Sequence, residues 1–131
     1  MAYLIDSDIL IFSLRGDRAI TDQLRLSGRI PKAISVITYG ELIFGAKNSE
    51  HPARNIALIL KLTEIFPIID VSRTVMDIFS GIKADLRKAG RSIDDMDILI
   101  AATALSRNDT LVTNNTKHFA RIPDLRLENW M

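Results

Sequence analysis

The sequence predicts an α/β fold, a three-layer sandwich around a mostly parallel central sheet, with residues 1–131 forming one domain. Three observations point there. Short apolar runs of strand length alternate along the chain with longer segments of helical character, the order produced by parallel strands joined through helical crossovers. The 131-residue length suits a single core. Acidic residues stand at the mouths of apolar segments, where the strand ends of an open α/β sheet gather their functional groups.

The elements follow in order. Tyr3-Leu4-Ile5 reads as a short buried strand. Asp8 is placed to cap a helix from Ile9 to about Leu14 that stops near Gly16. A second helix is expected from Arg18 to Leu26, closed by Gly28. Pro31 to Ser35 reads as the second strand, and Thr38-x-x-Glu41 has the form of a capping box early in a helix that runs to about Lys47. Pro52 suits the first position of a helix over Ala53 to about Ile65. Phe66 to Val71 is the third strand. Ser72 caps a long helix through Lys88, with Gly90 beyond it, and Asp94 caps another through Leu105. Thr110 to Thr113 forms the fourth strand, and Leu125 to Glu128 a fifth at an edge. There is no internal repeat, low-complexity tract or linker.

Composition narrows the functional classes. The chain is 47% hydrophobic, apolar for its size, so part of its surface is expected to face another chain. No apolar run reaches the ~18 residues of a membrane span, and the start, Met1-Ala2-Tyr3-Leu4-Ile5-Asp6, lacks a basic region before its apolar run. A cytoplasmic location without membrane contact is expected. Cysteine is absent, which excludes disulfides and thiolate metal sites. A net charge of +1 does not announce nucleic acid. Basic residues are nonetheless unevenly placed. Lys83, Arg87, Lys88 and Arg91 recur at roughly helical spacing, and Arg15 and Arg18 flank Gly16. They form either a solvated face or a phosphate-tracking surface.

The acids carry the chemistry. Asp6 ends the first strand inside apolar sequence, with no lysine or arginine within eight residues on either side, so its charge needs a partner. Glu41 has the capping role as an alternative, and Asp97 has a place in the first turn of a helix, where a carboxylate favours the dipole by about 0.3–1 kcal/mol. If the three converge, repulsion raises at least one pKa, and a divalent cation removes that cost. Oxygen ligands suit Mg2+ or Mn2+. With two histidines and no cysteine, zinc is poorly supported. Asp94 and Asp95 are expected to cap or to support the ligands, Asp70 to serve a turn, and Ser7 and Asp8 to lie beside the site. Thr113 and Asn114, after the fourth strand, are placed to hydrogen-bond a phosphate or a water, and Asn115 adjoins them.

These residues resemble the PIN domain, specifically the VapC-type ribonuclease toxins. Met1 to Leu14 is similar to that family's opening, with Asp6 as the acid. Ile34 to Ala46 looks like its second motif, with Glu41 as the acid, and Ile93 to Ala102 like its third, with Asp97. Leu111 to Phe119 resembles the fourth region, and Leu127-Glu128-Asn129-Trp130 the usual ending. Two positions depart from the pattern. Asp8 stands where the family commonly has Asn. The fourth acidic position falls near Asn115 or His118, neither of which is a carboxylate. The resemblance implies an Mg2+- or Mn2+-dependent endoribonuclease and a homodimer. It also implies a cognate VapB-type antitoxin that blocks the site. The RNA is expected to be structured, tRNA-like, with bases exposed in a loop. The antitoxin is expected along the helices carrying Ile43, Phe44, Ile56 and Leu60.

Two other readings exist. Asp6-Ser7-Asp8-Ile9 after an apolar strand superficially matches the nucleophile motif of haloacid-dehalogenase-type phosphatases, with Asp94-Asp95 as the downstream pair. A non-enzymatic receiver-like signalling domain would use Asp70 as phosphoacceptor, but it needs a lysine where Asn114 and Asn115 follow Thr113.

Overall fold

The computed structural model describes residues 2–131. Five strands form one parallel sheet: β1 (Tyr3–Ile5), β2 (Lys32–Ser35), β3 (Ile68–Ile69), β4 (Thr110–Val112) and β5 (Leu127–Glu128), in the order β3-β2-β1-β4-β5. Seven helices connect them: α1 (Ser7–Leu14), α2 (Arg18–Leu26), α3 (Val36–Lys47), α4 (Pro52–Ile65), α5 (Arg73–Lys88), α6 (Asp95–Arg107) and α7 (Thr116–Phe119). The chain builds outward from β1 to β3 and then crosses to the other side of β1 for β4. The junction of β1 and β4 is therefore the point where strand order reverses and a crevice opens at the carboxyl edge.

Alternation along the strands sorts the core into two layers. Tyr3, Ile5, Ile34 and Val112 pack against Ile9, Leu10, Ile20, Leu42, Ala46, Ile59 and Leu62, which come from α1 to α4. Leu4, Ala33 and Leu111 face the other way, against Leu86, Ile98, Ala101, Ala104 and Phe119 from α5, α6 and α7. β1 and β4 are buried along their whole length, which is why they read as continuous apolar runs. Trp130 closes the first layer. Its ring meets Tyr3 edge-on with centroids 5.1 Å apart, and its indole N–H donates to Glu128 Oε1.

Several boundaries differ from expectation, for local reasons. α1 begins at Ser7, not Ile9, because Asp6 rather than Asp8 is its N-cap. α3 begins at Val36, capped by Ser35, whose hydroxyl accepts from the amides of Ile37 and Thr38. The Thr38–Glu41 capping box does not form: both residues lie inside the helix, and Glu41 is free for another role. β3 shrinks to two residues. α7, a single turn of four residues, has no period for a sequence to reveal.

The two-layer packing sets a stability scale. Leu111→Ala, at a position with no exposed surface, is expected to cost about 2–5 kcal/mol in chemical denaturation. Leu26→Ala, at a position 79% exposed, is expected to stay within about 0.5 kcal/mol.

Candidate active site

Asp6 is the fixed point of the carboxyl edge. Its backbone N–H donates to Val112 O at 2.9 Å, which ties the end of β1 to β4. One carboxylate oxygen, Oδ1, accepts from the Ser7 amide at 2.8 Å. The other, Oδ2, accepts from the Thr113 hydroxyl at 2.8 Å. Thr113 Oγ1 in turn accepts from the Asn115 amide. Asp8, one residue into α1, accepts from the Asn114 amide at 3.0 Å and from Ile9 at 2.7 Å. Two aspartates of the first turn thus clasp the turn after β4. Thr113 donates its hydroxyl to Asp6, while Asn114 donates its backbone N–H to Asp8 and accepts at Oδ1 from the Asn129 side-chain amide. Asn115 sits at the start of α7 without a side-chain capping bond.

Two helices from opposite faces of the sheet add the remaining acids. α3, launched from β2 by Ser35, carries Glu41 to the edge. α6 carries Asp97 in its first turn, after the Asp94 cap, whose carboxylate accepts from the Met96 amide. Asp95 points elsewhere, 3.0 Å from Lys83. His118, on α7, places Nε2 3.1 Å from Asp97 Oδ2. Asp70 follows the outermost strand, two strands from Asp6, and is exposed.

The electrostatics of this edge run in one direction. Burial, then Asp8 and Glu41, push Asp6 up to about 7 against the donors Thr113 and Ser7, which pull it down. Desolvation also raises Asp8, against its amide donors. Glu41 is raised by partial burial, then by Asp97 and Asp94. Asp97 is raised by burial and by Asp94, with His118 drawing it down. Among the described residues no lysine or arginine pairs with Asp6, Asp8, Glu41 or Asp97. A set of hard oxygen donors that repel one another and lack a cation fits a divalent ion such as Mg2+ or Mn2+. Among the described residues no three His, Asp or Glu side chains stand close enough together to hold a metal ion as they are.

A groove of about 560 Å3 runs from this edge between α1, α3 and α4, lined by Ile11, Leu14, Leu58, Arg15 and Arg54 and ending at Glu41. It runs beside the helices that carry Ile43, Phe44, Ile56 and Leu60. Phe44 and Leu60 are exposed, but Ile43 and Ile56 are half-buried against the core. A larger cavity of about 770 Å3, beside Ala2, Arg107, Thr110 and Arg126, lies where β1 and β4 begin, at the other edge of the sheet from the acids.

Comparison with known proteins agrees with this geometry. The model of the PIN domain family matches residues 3–125. Ribonuclease VapC2 of Haemophilus influenzae is 38% identical over 132 residues, covering 100% of this chain and 99% of that protein. The tRNA(fMet)-specific endonuclease VapC of Shigella flexneri is 32% identical, covering 99% and 98%. Among solved structures, that of VapBC2 from Rickettsia felis bound to a DNA fragment from its promoter superposes with a TM-score of 0.94 at 32% identity, covering 100% of both chains. These matches leave the phosphatase and receiver readings without support.

The acid edge has a consequence for stability. The raised Asp6 pKa means that the fold favours the protonated carboxyl. That stabilisation is complete below the ordinary value of 3.8 and is lost as pH rises through about 7. Asp6→Asn keeps a capping oxygen and no charge. In metal-free buffer the variant is expected to exceed the parent by on the order of 1–3 kcal/mol above pH 7, with the gain fading towards pH 4. Thermal unfolding in EDTA at pH 8 and pH 5 measures it, and equal stabilities at pH 8 would refute the repulsion.

Proposed function

The chain belongs to the PIN domain family, and from that premise we propose that its carboxyl edge is the active centre of a metal-dependent endoribonuclease, a toxin held inactive by a VapB-type antitoxin. The observation that supports the reading is the mutual repulsion among Asp6, Asp8, Glu41 and Asp97 at one edge of the sheet, with no lysine or arginine paired to them among the described residues.

Asp6, Glu41 and Asp97 would hold Mg2+ or Mn2+, with Asp8 adjacent. When bound, the ion would offset charge on the phosphodiester and lower the pKa of a water. The protein's own groups do the rest. Thr113 and the Ser7 amide fix the Asp6 carboxylate in one orientation at the carboxyl edge. Asp97 or Glu41 orients the attacking water and accepts its proton, their raised pKa values bringing them closer to that task. Attack by water leaves a 5′-phosphate and a 3′-hydroxyl and does not use the ribose 2′-hydroxyl. The exposed Lys83, Arg87, Lys88 and Arg91 would track the RNA backbone. A tRNA-like substrate follows from the named specificity of the Shigella relative and from the preference of proteins for unpaired loop bases.

The chain is proposed to act in the cytoplasm. None of its described helices is long and apolar enough to cross a membrane. It would form a homodimer through helix faces, leaving the acid edge open. The antitoxin would lay apolar side chains along Ile11, Leu14 and Leu58 and bring a basic group to Glu41, replacing the cation's charge.

Three experiments test this. Purified protein is expected to cut structured RNA with Mg2+ or Mn2+, giving the ends named above. Excess EDTA should stop it, and Asp97→Asn should lower the rate at least roughly a hundredfold while the fold survives. Cyclic 2′,3′-phosphate ends or activity in EDTA would refute the mechanism. Light scattering at micromolar concentration is expected to give twice the 14.7 kDa chain mass. Leu58→Asp should weaken antitoxin binding without changing that mass or the cleavage. A monomer, or undiminished antitoxin binding, would refute the corresponding assignment.

A further inference from the structure

We propose that the turn between α5 and α6 forms a second, non-catalytic nucleotide site, in which one unpaired nucleotide of the RNA is held both by its phosphate and by its base. The inference rests on the reading of the chain as a ribonuclease and adds to it a binding site outside the acid edge.

The end of α5 builds the phosphate half. Gly90, with a φ of 69°, turns the chain through the left-handed region. Its amide donates to Arg87 O at 3.1 Å and the Arg91 amide to Leu86 O at 2.9 Å, the paired bonds of a Schellman stop. Arg91 is thereby folded back beside the last turn of α5. A pocket of about 250 Å3 opens there, lined by Lys83, Arg87 and Arg91 and by no acidic residue among those described. Lys83 shares its charge with exposed Asp95, 3.0 Å away. Arg87 and Arg91 pair with no carboxylate among the described residues. Three cations around one pocket suit a phosphate. Ile98, which also lines it, directly follows Asp97, so the pocket borders the first turn of α6.

A second cleft, of about 500 Å3, adjoins the first and shares Leu86 and Arg91 with it. Ile82, Leu86, Leu105 and Pro123 give it an apolar lining. Arg121, beyond α7, donates to Ser92 O at 3.5 Å and ties the two walls together. The charges here differ from those of the pocket, because Asp85 and Asp124 balance Arg91 and Arg121. A balanced, partly apolar cleft does not favour a second phosphate, but it suits a base. The ring can cover apolar side chains or a guanidinium plane, and an exocyclic amine can donate to a carboxylate. Charge thus sorts two adjoining spaces, one for phosphate and one for base, with Arg91 at their boundary. The larger cavity beside Arg107 and Arg126 has no such division, and its arginines are already engaged by Asp109 and Asn108.

The test uses the full chain in EDTA, so that binding is read without cleavage. Fluorescence anisotropy of a labelled single-stranded RNA compares the parent with Arg91→Ala, Ala89→Trp and Lys61→Ala, after thermal unfolding confirms that each variant folds. Ala89 is exposed and lines the cleft but not the pocket, so tryptophan there fills the cleft without altering charge. Arg91→Ala is expected to weaken binding about fivefold to tenfold and to lower the slope of log affinity against log salt by about 0.7, the loss of one phosphate contact. Ala89→Trp is expected to weaken binding at least roughly fivefold with the slope unchanged. Lys61→Ala, on α4 in the other layer, should change neither. Amide spectra of the 15N-labelled parent with the four nucleoside 5′-monophosphates should shift residues 90–93 together with Leu105 and Asp124, whereas inorganic phosphate shifts residues 90–93 alone. Identical shifts from phosphate and from nucleotide, or full RNA affinity in Ala89→Trp, would overturn the nucleotide site while metal-dependent cleavage by the parent still stood. A parent that neither binds nor cuts RNA would overturn the ribonuclease reading as well, so the two failures are told apart.

Discussion

Asp6 carries a carboxylate at the end of a central strand, 7% exposed, in a place where charge is expensive. The surrounding structure is organised around making that charge possible. The Ser7 amide at the start of α1 satisfies one oxygen and the Thr113 hydroxyl at the end of β4 the other. The second donor is in reach because β1 and β4 lie side by side in parallel register, Ile5 opposite Val112, so that Asp6 and Thr113 follow paired strand ends. Even so, two hydrogen bonds do not restore the ordinary acidity, since the pKa stays near 7. The remaining deficit is a positive charge. Asp8, Glu41 and Asp97 enlarge it, so the same constraint that shapes the first strand end defines what the crevice will bind.

Much of this was legible in the chain because each core strand is buried on both faces and each long helix carries its own stop or start signal. Leu4 and Leu111 could be assigned to strands from apolar runs alone, and Ser72 and Asp94 to caps from the segments they precede. Asp6, Glu41 and Asp97 stood out for the same reason: an acid in apolar company must be compensated. Their meeting was a matter of topology, since a parallel sheet sends all its strand ends to one side.

What could not be read depends on contacts across the fold. At β1–α1 and β2–α3 the strand runs into the helix with no loop, so Asp6 and Ser35 are strand end and cap at once, and period-based reasoning put the helix starts two residues late. Thr113 gives no local sign that its hydroxyl belongs to a residue 107 positions earlier. Nor does His118, on a one-turn helix, announce that it reaches Asp97, because the pairing requires α6 and α7 to lie on the same face of the sheet.

That separation of 107 residues between Asp6 and Thr113 also bears on how a potentially harmful enzyme is made. The first acid stands far in the chain from the strand that pairs with it and from the hydroxyl that holds it. Glu41 and Asp97 belong to opposite helical layers, so neither half of the chain contains the whole constellation. The high sequence separation of the closing contact makes assembly of the centre a late step of folding. A chain whose distant segments have not yet paired lacks the assembled centre, so there is nothing for the antitoxin to block until the fold is closed.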